Sequence, residues 1–250
     1  MRDSPEICES APVELTATAG ESVRQQGAAL AAPGQISKQN TNWPQPLIEG
    51  FLRFRDNHFP SDDIEYLRLF SEGQKPKFLI IGCCDSRVDP AIIFNCAPGE
   101  LFVVRNVANL VPPNEERIGH HGTTAALEYG VCNLGVEHIV VLGHEHCGGI
   151  QTLMQTGGTS NPDSFIDDWM KLAESARVSV ERDYADASLD ERQRACEQRA
   201  ILVSLENLLT YQWIAQRVAA KTLRIHGWYF DIKQGQLMGY NSTTGQFEPL

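Results

Sequence analysis

The sequence predicts an α/β protein: a mostly parallel central β-sheet flanked by helices and finished by a C-terminal edge strand. Three observations carry that reading. Short apolar, β-rich runs occur at residues 77–83, 101–105 and 138–143. Segments with apolar residues at helical spacing lie between and after them. Strands that alternate with helices in this way favour a parallel sheet with right-handed crossovers.

The elements follow in order. Residues 1–42 are rich in Ala, Ser, Thr, Gln and Gly without sustained periodicity, and are expected to form a flexible arm ahead of one folded domain, 43–250. Leu47, Phe51 and Phe54 are spaced as on a helix. Ser61 is a suitable N-cap for a second helix, with Ile64, Leu67 and Phe70 on one face. The run 77–83 is apolar throughout, as in a strand buried on both faces. Residues 123–134 predict a helix with Ala125, Leu127 and Val131 inward. Three helices are expected at about 147–155, 163–182 and 189–219. A last strand, 223–230, turns near Gly235 into a partner at 236–240.

Composition narrows the function. The chain has 250 residues, 42% hydrophobic and 21% charged, with a formal net charge of −11. That balance excludes a fibre and a mostly disordered chain. It disfavours nucleic acid and anionic membrane surfaces as partners, because both repel an acidic protein. No apolar run approaches the ~20 residues that span a bilayer. The first residues are acidic and lack the apolar stretch of a secretory signal, so a cytoplasmic location is expected. In that compartment the seven cysteines read as thiols or metal ligands rather than disulfides.

Two strand ends carry the chemistry. The first strand runs into Gly82-Cys83-Cys84-Asp85-Ser86-Arg87-Val88. The third runs into Gly143-His144-Glu145-His146-Cys147-Gly148-Gly149. Ligands collect at the carboxyl ends of strands in open parallel sheets. Cys83, His144 and Cys147 therefore form a predicted zinc set: two thiolates and one imidazole leave the fourth tetrahedral position open, as in catalytic sites. The three-residue step from His144 to Cys147 lets a helix start aim both at one point. Asp85 either binds the metal or accepts a hydrogen bond from its water, and Arg87 can hold that carboxylate ionised. Cys84 is expected to be a small packed thiol, and Glu145 and His146 to be solvated.

These motifs are similar to those of the β-class carbonic anhydrases. Cys83-x-Asp85-Ser86-Arg87-Val88 and Gly143-His144-x-x-Cys147-Gly148-Gly149 carry the resemblance. So do Pro98-Gly99-Glu100-Leu101-Phe102-Val103-Val104-Arg105-Asn106, Glu128-Tyr129 and His226-Gly227-Trp228. It covers roughly 45–250. It implies zinc-dependent, reversible hydration of CO2 to bicarbonate and a proton, with one Zn2+ per chain on Cys83, His144 and Cys147. It makes Asp85 and Arg87 the catalytic dyad. It places Gln74, Phe102, Val107, Tyr129 and Gly148 around the substrate, in a pocket that relatives form at a dimer interface. A homodimer or larger homo-oligomer is the expected partner state. Two thiolates cancel the formal charge of zinc, so activity is expected to rise with pH above neutrality; a flat rate profile from about pH 6 to 9 in stopped-flow assays contradicts this.

Other readings of the chain are a related hydrolase acting on COS or CS2, and a catalytically silent zinc scaffold. The intact Asp85–Arg87 pair argues against the scaffold. A nucleotide-binding α/β protein lacks its phosphate-binding glycine motif here.

Overall fold

The computed structural model describes residues 43–59, 64–114, 121–157, 161 and 163–250. The arm expected over 1–42 and the N-cap expected at Ser61 lie outside the described residues. The chain divides into two compact units between Gly73 and Gln74.

The described part of the first unit is a pair of helices, α1 (Gln45–His58) and α2 (Ile64–Glu72). Pro44 opens α1, where its missing N–H costs nothing. Phe54, Phe59 and Tyr66 join the two helices through ring contacts, the closest being Phe59 on Tyr66 at 4.5 Å. The rest of the apolar stripe is uncovered: Leu47, Phe51, Leu67 and Phe70 are all exposed.

The second unit contains the sheet. Its strands are β1 (Phe78–Cys83), β2 (Leu101–Asn106), β3 (His138–His144), β4 (Arg224–Asp231), β5 (Gln236–Asn241) and β6 (Gln246–Pro249). The spatial order is β2-β1-β3-β4-β5-β6. β1 to β4 are mutually parallel, and β5 and β6 add on antiparallel. The C-terminal edge is therefore β6, one strand beyond the edge expected at 236–240.

β1 lies between β2 and β3 and is buried on both faces, as its unbroken apolar run requires. Alternate side chains divide between the faces. Leu79, Ile81, Ile139, Val141 and Tyr229 pack with Ile201 and Leu208 of α8 (Leu189–Leu208) and with Trp213 and Ile214 of α9 (Gln212–Ala219). On the other face Ile80, Val140 and Leu142 meet Phe94 and Ile93, the latter from the short helix α3 (Pro90–Ile93).

Three predicted helices break where tertiary contacts intervene. The segment from 123 starts as α4 (Gly122–Glu128) and becomes a π-helical turn at Tyr129–Asn133. Leu127 and Val131 are buried as expected, but Ala125 is exposed. Gly130 lets that turn lie against the sheet, since a Cβ there would meet Leu79 Cδ1 at 2.5 Å. The segment 163–182 divides into α6 (Phe165–Met170) and α7 (Glu174–Asp183) around a 3₁₀ turn. The segment 189–219 divides into α8 and α9 at Tyr211, whose buried side chain donates to Pro112 O at 3.0 Å. One thiol expectation fails: Cys132 is disulfide-bonded. No helix among the described residues is long and apolar enough to cross a membrane.

Candidate active site

Cys83 is the last residue of β1 and His144 the last of β3, so adjacent parallel strands deliver them to the same end of the sheet. Cys147 follows one turn later as the N-cap of α5 (Gly148–Thr156). The turn between them is tight, with His146 at φ 53°. The ligand atoms of Cys83, His144 and Cys147 lie within 4.8 Å of one another, and all three residues are buried.

The donor chemistry fits a divalent soft-to-borderline cation. His144 Nδ1 pairs with Glu145 O at 2.9 Å, while Nε2 is buried without a hydrogen-bond partner. An orphaned imidazole nitrogen facing two sulfurs is what a metal-ready site leaves. The thiols also disagree about protons. The Cys147 thiol, then His144 and the Asp85 N–H, hold the Cys83 pKa far below normal. Cys147 is driven up by the neighbouring Cys83 sulfur and by burial. Two thiolates this close need a cation between them, and Cys2His is a zinc donor set. For His144, burial lowers the pKa and the Cys83 sulfur raises it, with a net rise.

Asp85 stands beside this trio, held by Arg87. Arg87 Nε donates to Oδ1 at 2.9 Å and Nη2 to Oδ2 at 2.6 Å, and the Arg87 N–H also reaches Oδ1 at 2.9 Å. The guanidinium holds the Asp85 carboxyl far below the usual carboxylate range. Arg87 Nη2 also donates to His146 O at 3.0 Å, which ties the first motif to the second. Asp85 thus belongs to Arg87 rather than to the ligand cluster. Arg105 supports the whole turn from below, donating to Cys83 O at 2.8 Å, Asp85 O at 2.7 Å and Asp89 Oδ2 at 2.7 Å.

Val107 and Gly148 reach the same end of the sheet. Val107 opens a strained turn in which Ala108 and Asn109 have φ of 62° and 50°. Asn106 pins that turn by exchanging hydrogen bonds with Leu110, and Trp169 Nε1 donates to Val107 O at 2.8 Å. Gly149 lies against it: a Cβ there would sit 2.8 Å from Val107 Cγ1, 3.2 Å from Ala108 Cβ and 3.3 Å from Met170 Sδ. Gly149→Ala is therefore expected to cost about 1–3 kcal/mol by overpacking, read as a lowered thermal midpoint. An unchanged midpoint would mean that the Val107 turn yields freely. Gly148, by contrast, faces open space.

Comparison with known proteins bears on this centre. A family model described as carbonic anhydrase matches residues 78–237. The chain is 40% identical over 78% of its length to "Beta carbonic anhydrase 5, chloroplastic" of Arabidopsis thaliana, and spans 64% of that protein. The chain belongs to the β-carbonic anhydrase family. Among solved structures it is similar to the β-carbonic anhydrase CcaA, with TM-score 0.77 and 34% identity over 82% of this chain and 91% of that one. It is also similar to the tetrameric β-carbonic anhydrases of Sordaria macrospora, with TM-score 0.62 and 30% identity over 78% of this chain and 92% of that one.

One part of the expected β-carbonic anhydrase pocket is not assembled within a single chain. Phe102 pairs in register with Leu79, four residues before Cys83, which is about 13 Å along the strand. Its ring lies 5.9 Å from that of Tyr129. Gln74 precedes the opposite, N-terminal end of β1. Gln74 and Tyr129 are exposed there and Phe102 is half-buried.

Two neighbours of the ligands differ from expectation. Cys84 is exposed rather than packed. Glu145 is engaged, its Oε2 accepting the Lys233 N–H at 3.0 Å, whereas His146 is exposed as expected. Sequence reasoning missed the supporting roles of Arg105, Trp169 and Glu197. Arg105 was visible only as a motif match. Trp169 and Glu197 carry no local signal, because each acts on a segment distant in sequence.

Proposed function

We propose that this β-carbonic anhydrase catalyses the reversible hydration of CO2 to bicarbonate and a proton, with one zinc ion held by Cys83, His144 and Cys147. The observation that carries the reading is the buried Cys2His cluster beside a carboxylate locked in its ionised state. Zinc, when bound, supplies a Lewis acid that brings the ionisation of water toward neutrality.

The chain's own residues do the rest. Asp85 is an acceptor only, since Arg87 keeps it ionised. It therefore fixes the orientation of a reacting water by accepting its hydrogen. The Arg87 link to His146 O keeps Asp85 in register with the ligand turn. Val107 offers an apolar wall suited to CO2, and Gly148 leaves the approach clear. Stopped-flow CO2 hydration by the zinc-loaded chain tests the assignment. A protein carrying one zinc per chain and no hydration activity overturns it.

The working unit in this reading is a homodimer or larger homo-oligomer. The uncovered apolar residues of α1 and α2 need a partner surface. Gln74 and Tyr129 are exposed and Phe102 half-buried, all three away from their own ligand cluster, and in this reading they complete the site of a second copy. Mixing then restores function. An Asp85→Asn chain and a Gln74→Ala chain, each impaired alone, are expected to regain part of the wild-type rate after dissociation and reassembly together. No recovery from a reassembled mixture sinks the shared-site arrangement.

A further inference from the structure

Glu197 is a buried carboxylate in the middle of α8, outside every motif of the sequence. It is 3% exposed. Its Oε1 accepts the backbone N–H of Cys147 at 2.9 Å and Gln193 Nε2 at 2.9 Å. Its Oε2 accepts the Tyr229 hydroxyl at 2.8 Å. A carboxylate in an apolar interior is costly unless it is fully hydrogen-bonded. Here three donors from three different elements converge on it: the ligand turn, α8 itself and β4.

The choice of donor matters more than their number. The Cys147 N–H lies at the N-cap of α5, where no carbonyl of the helix can accept it. Glu197 therefore holds the backbone of the third ligand. Tyr229 is paired in register with Gly143, the residue before His144. The same carboxylate thus links β4, the strand paired with the one that carries His144, to the turn that carries Cys147.

We propose that Glu197 is a positioning residue for metal binding: it sets the Cys147 backbone so that its sulfur meets Cys83 and His144 at one point before any ion arrives. The inference rests on the zinc reading given above and assigns Glu197 no contact with substrate. Groups that orient ligands from behind commonly change metal affinity by about 10–100-fold when removed.

The test is zinc affinity by chelator competition, with wild type, Glu197→Ala, Glu197→Met and Glu197→Gln compared at one pH, and folding checked by circular dichroism. Ala removes the acceptor, and Met removes it while filling the volume. Gln keeps an oxygen for the Cys147 N–H and an amide that can pair with Tyr229. The expected result is about 10–100-fold weaker zinc binding for Ala and Met, with Gln within about threefold of wild type. If Ala does not fold, the Met and Gln pair decides. Wild-type affinity in Ala or Met overturns the proposal. So does a Gln variant that loses as much as Met, because then the charge or simple packing matters rather than the acceptor. A wild-type chain that binds no zinc overturns the zinc reading and this inference together; wild-type binding with indifferent variants overturns this inference alone.

Discussion

Replacing Asp85 by Asn is expected to lower CO2 hydration by about 10²–10³-fold while zinc stays at one per chain. The two halves of that result have separate causes. Asp85 does not join the cluster of Cys83, His144 and Cys147, so its loss leaves all three ligand atoms in place. What changes is the hydrogen-bonding character at the dyad. The Asp85 carboxylate is acceptor-only and takes three bonds from Arg87. An Asn keeps one acceptor oxygen and presents an NH2 donor in place of the other. Either that NH2 faces Arg87, where donor meets donor, or it faces the reacting water and orients it wrongly. The measurement is stopped-flow hydration with metal analysis on the same sample. A rate within about threefold of wild type removes Asp85 from the mechanism. Zinc lost together with activity makes Asp85 a ligand rather than an orienting group.

Cys147→Ser is expected to have the larger effect, removing both zinc and activity. Serine keeps the approximate size but its hydroxyl stays protonated at neutral pH, so one anionic ligand disappears. Burial makes substitution worse: Cys147 is buried within the cluster it forms with Cys83 and His144. Zinc content falling well below one per chain, with hydration indistinguishable from the uncatalysed rate, is the expected outcome. A Cys147→Ser chain that keeps stoichiometric zinc after dialysis against a chelator contradicts the ligand assignment. The fold itself is expected to survive, because the sheet core of Leu79, Ile81, Ile139 and Val141 does not depend on the ligand turn.

The division between sequence and structure runs along range of interaction. β1 was legible because a run such as Phe78–Cys83 needs burial on both faces, and an inner strand of a parallel sheet provides that. The ligand trio was legible because two short motifs each ended a strand, and parallel strands deliver their carboxyl ends to one place. The dyad was legible because Asp85 and Arg87 are two residues apart and their pairing is local.

Tertiary structure decided the rest. No Gly or Pro marks the break between α8 and α9; the Tyr211 side chain, drawn into the core to reach Pro112 O, makes it. Ala108 and Asn109 adopt left-handed backbone because Asn106 and Trp169 pin their turn, and Trp169 is far away in sequence. The placement of Phe102 and Tyr129 away from the ligands follows from the β1–β2 register, which hydropathy cannot fix. Glu197 reads in sequence as one more charged residue on a long helix, and only the fold turns it inward to the Cys147 N–H. By itself the sequence determined that β1 is buried on both faces and that Cys83, His144 and Cys147 meet beside the Asp85–Arg87 pair, because those depend on local pattern and strand direction. Which residues hold them in place, and which face outward, depended on contacts between segments that only the folded chain brings together.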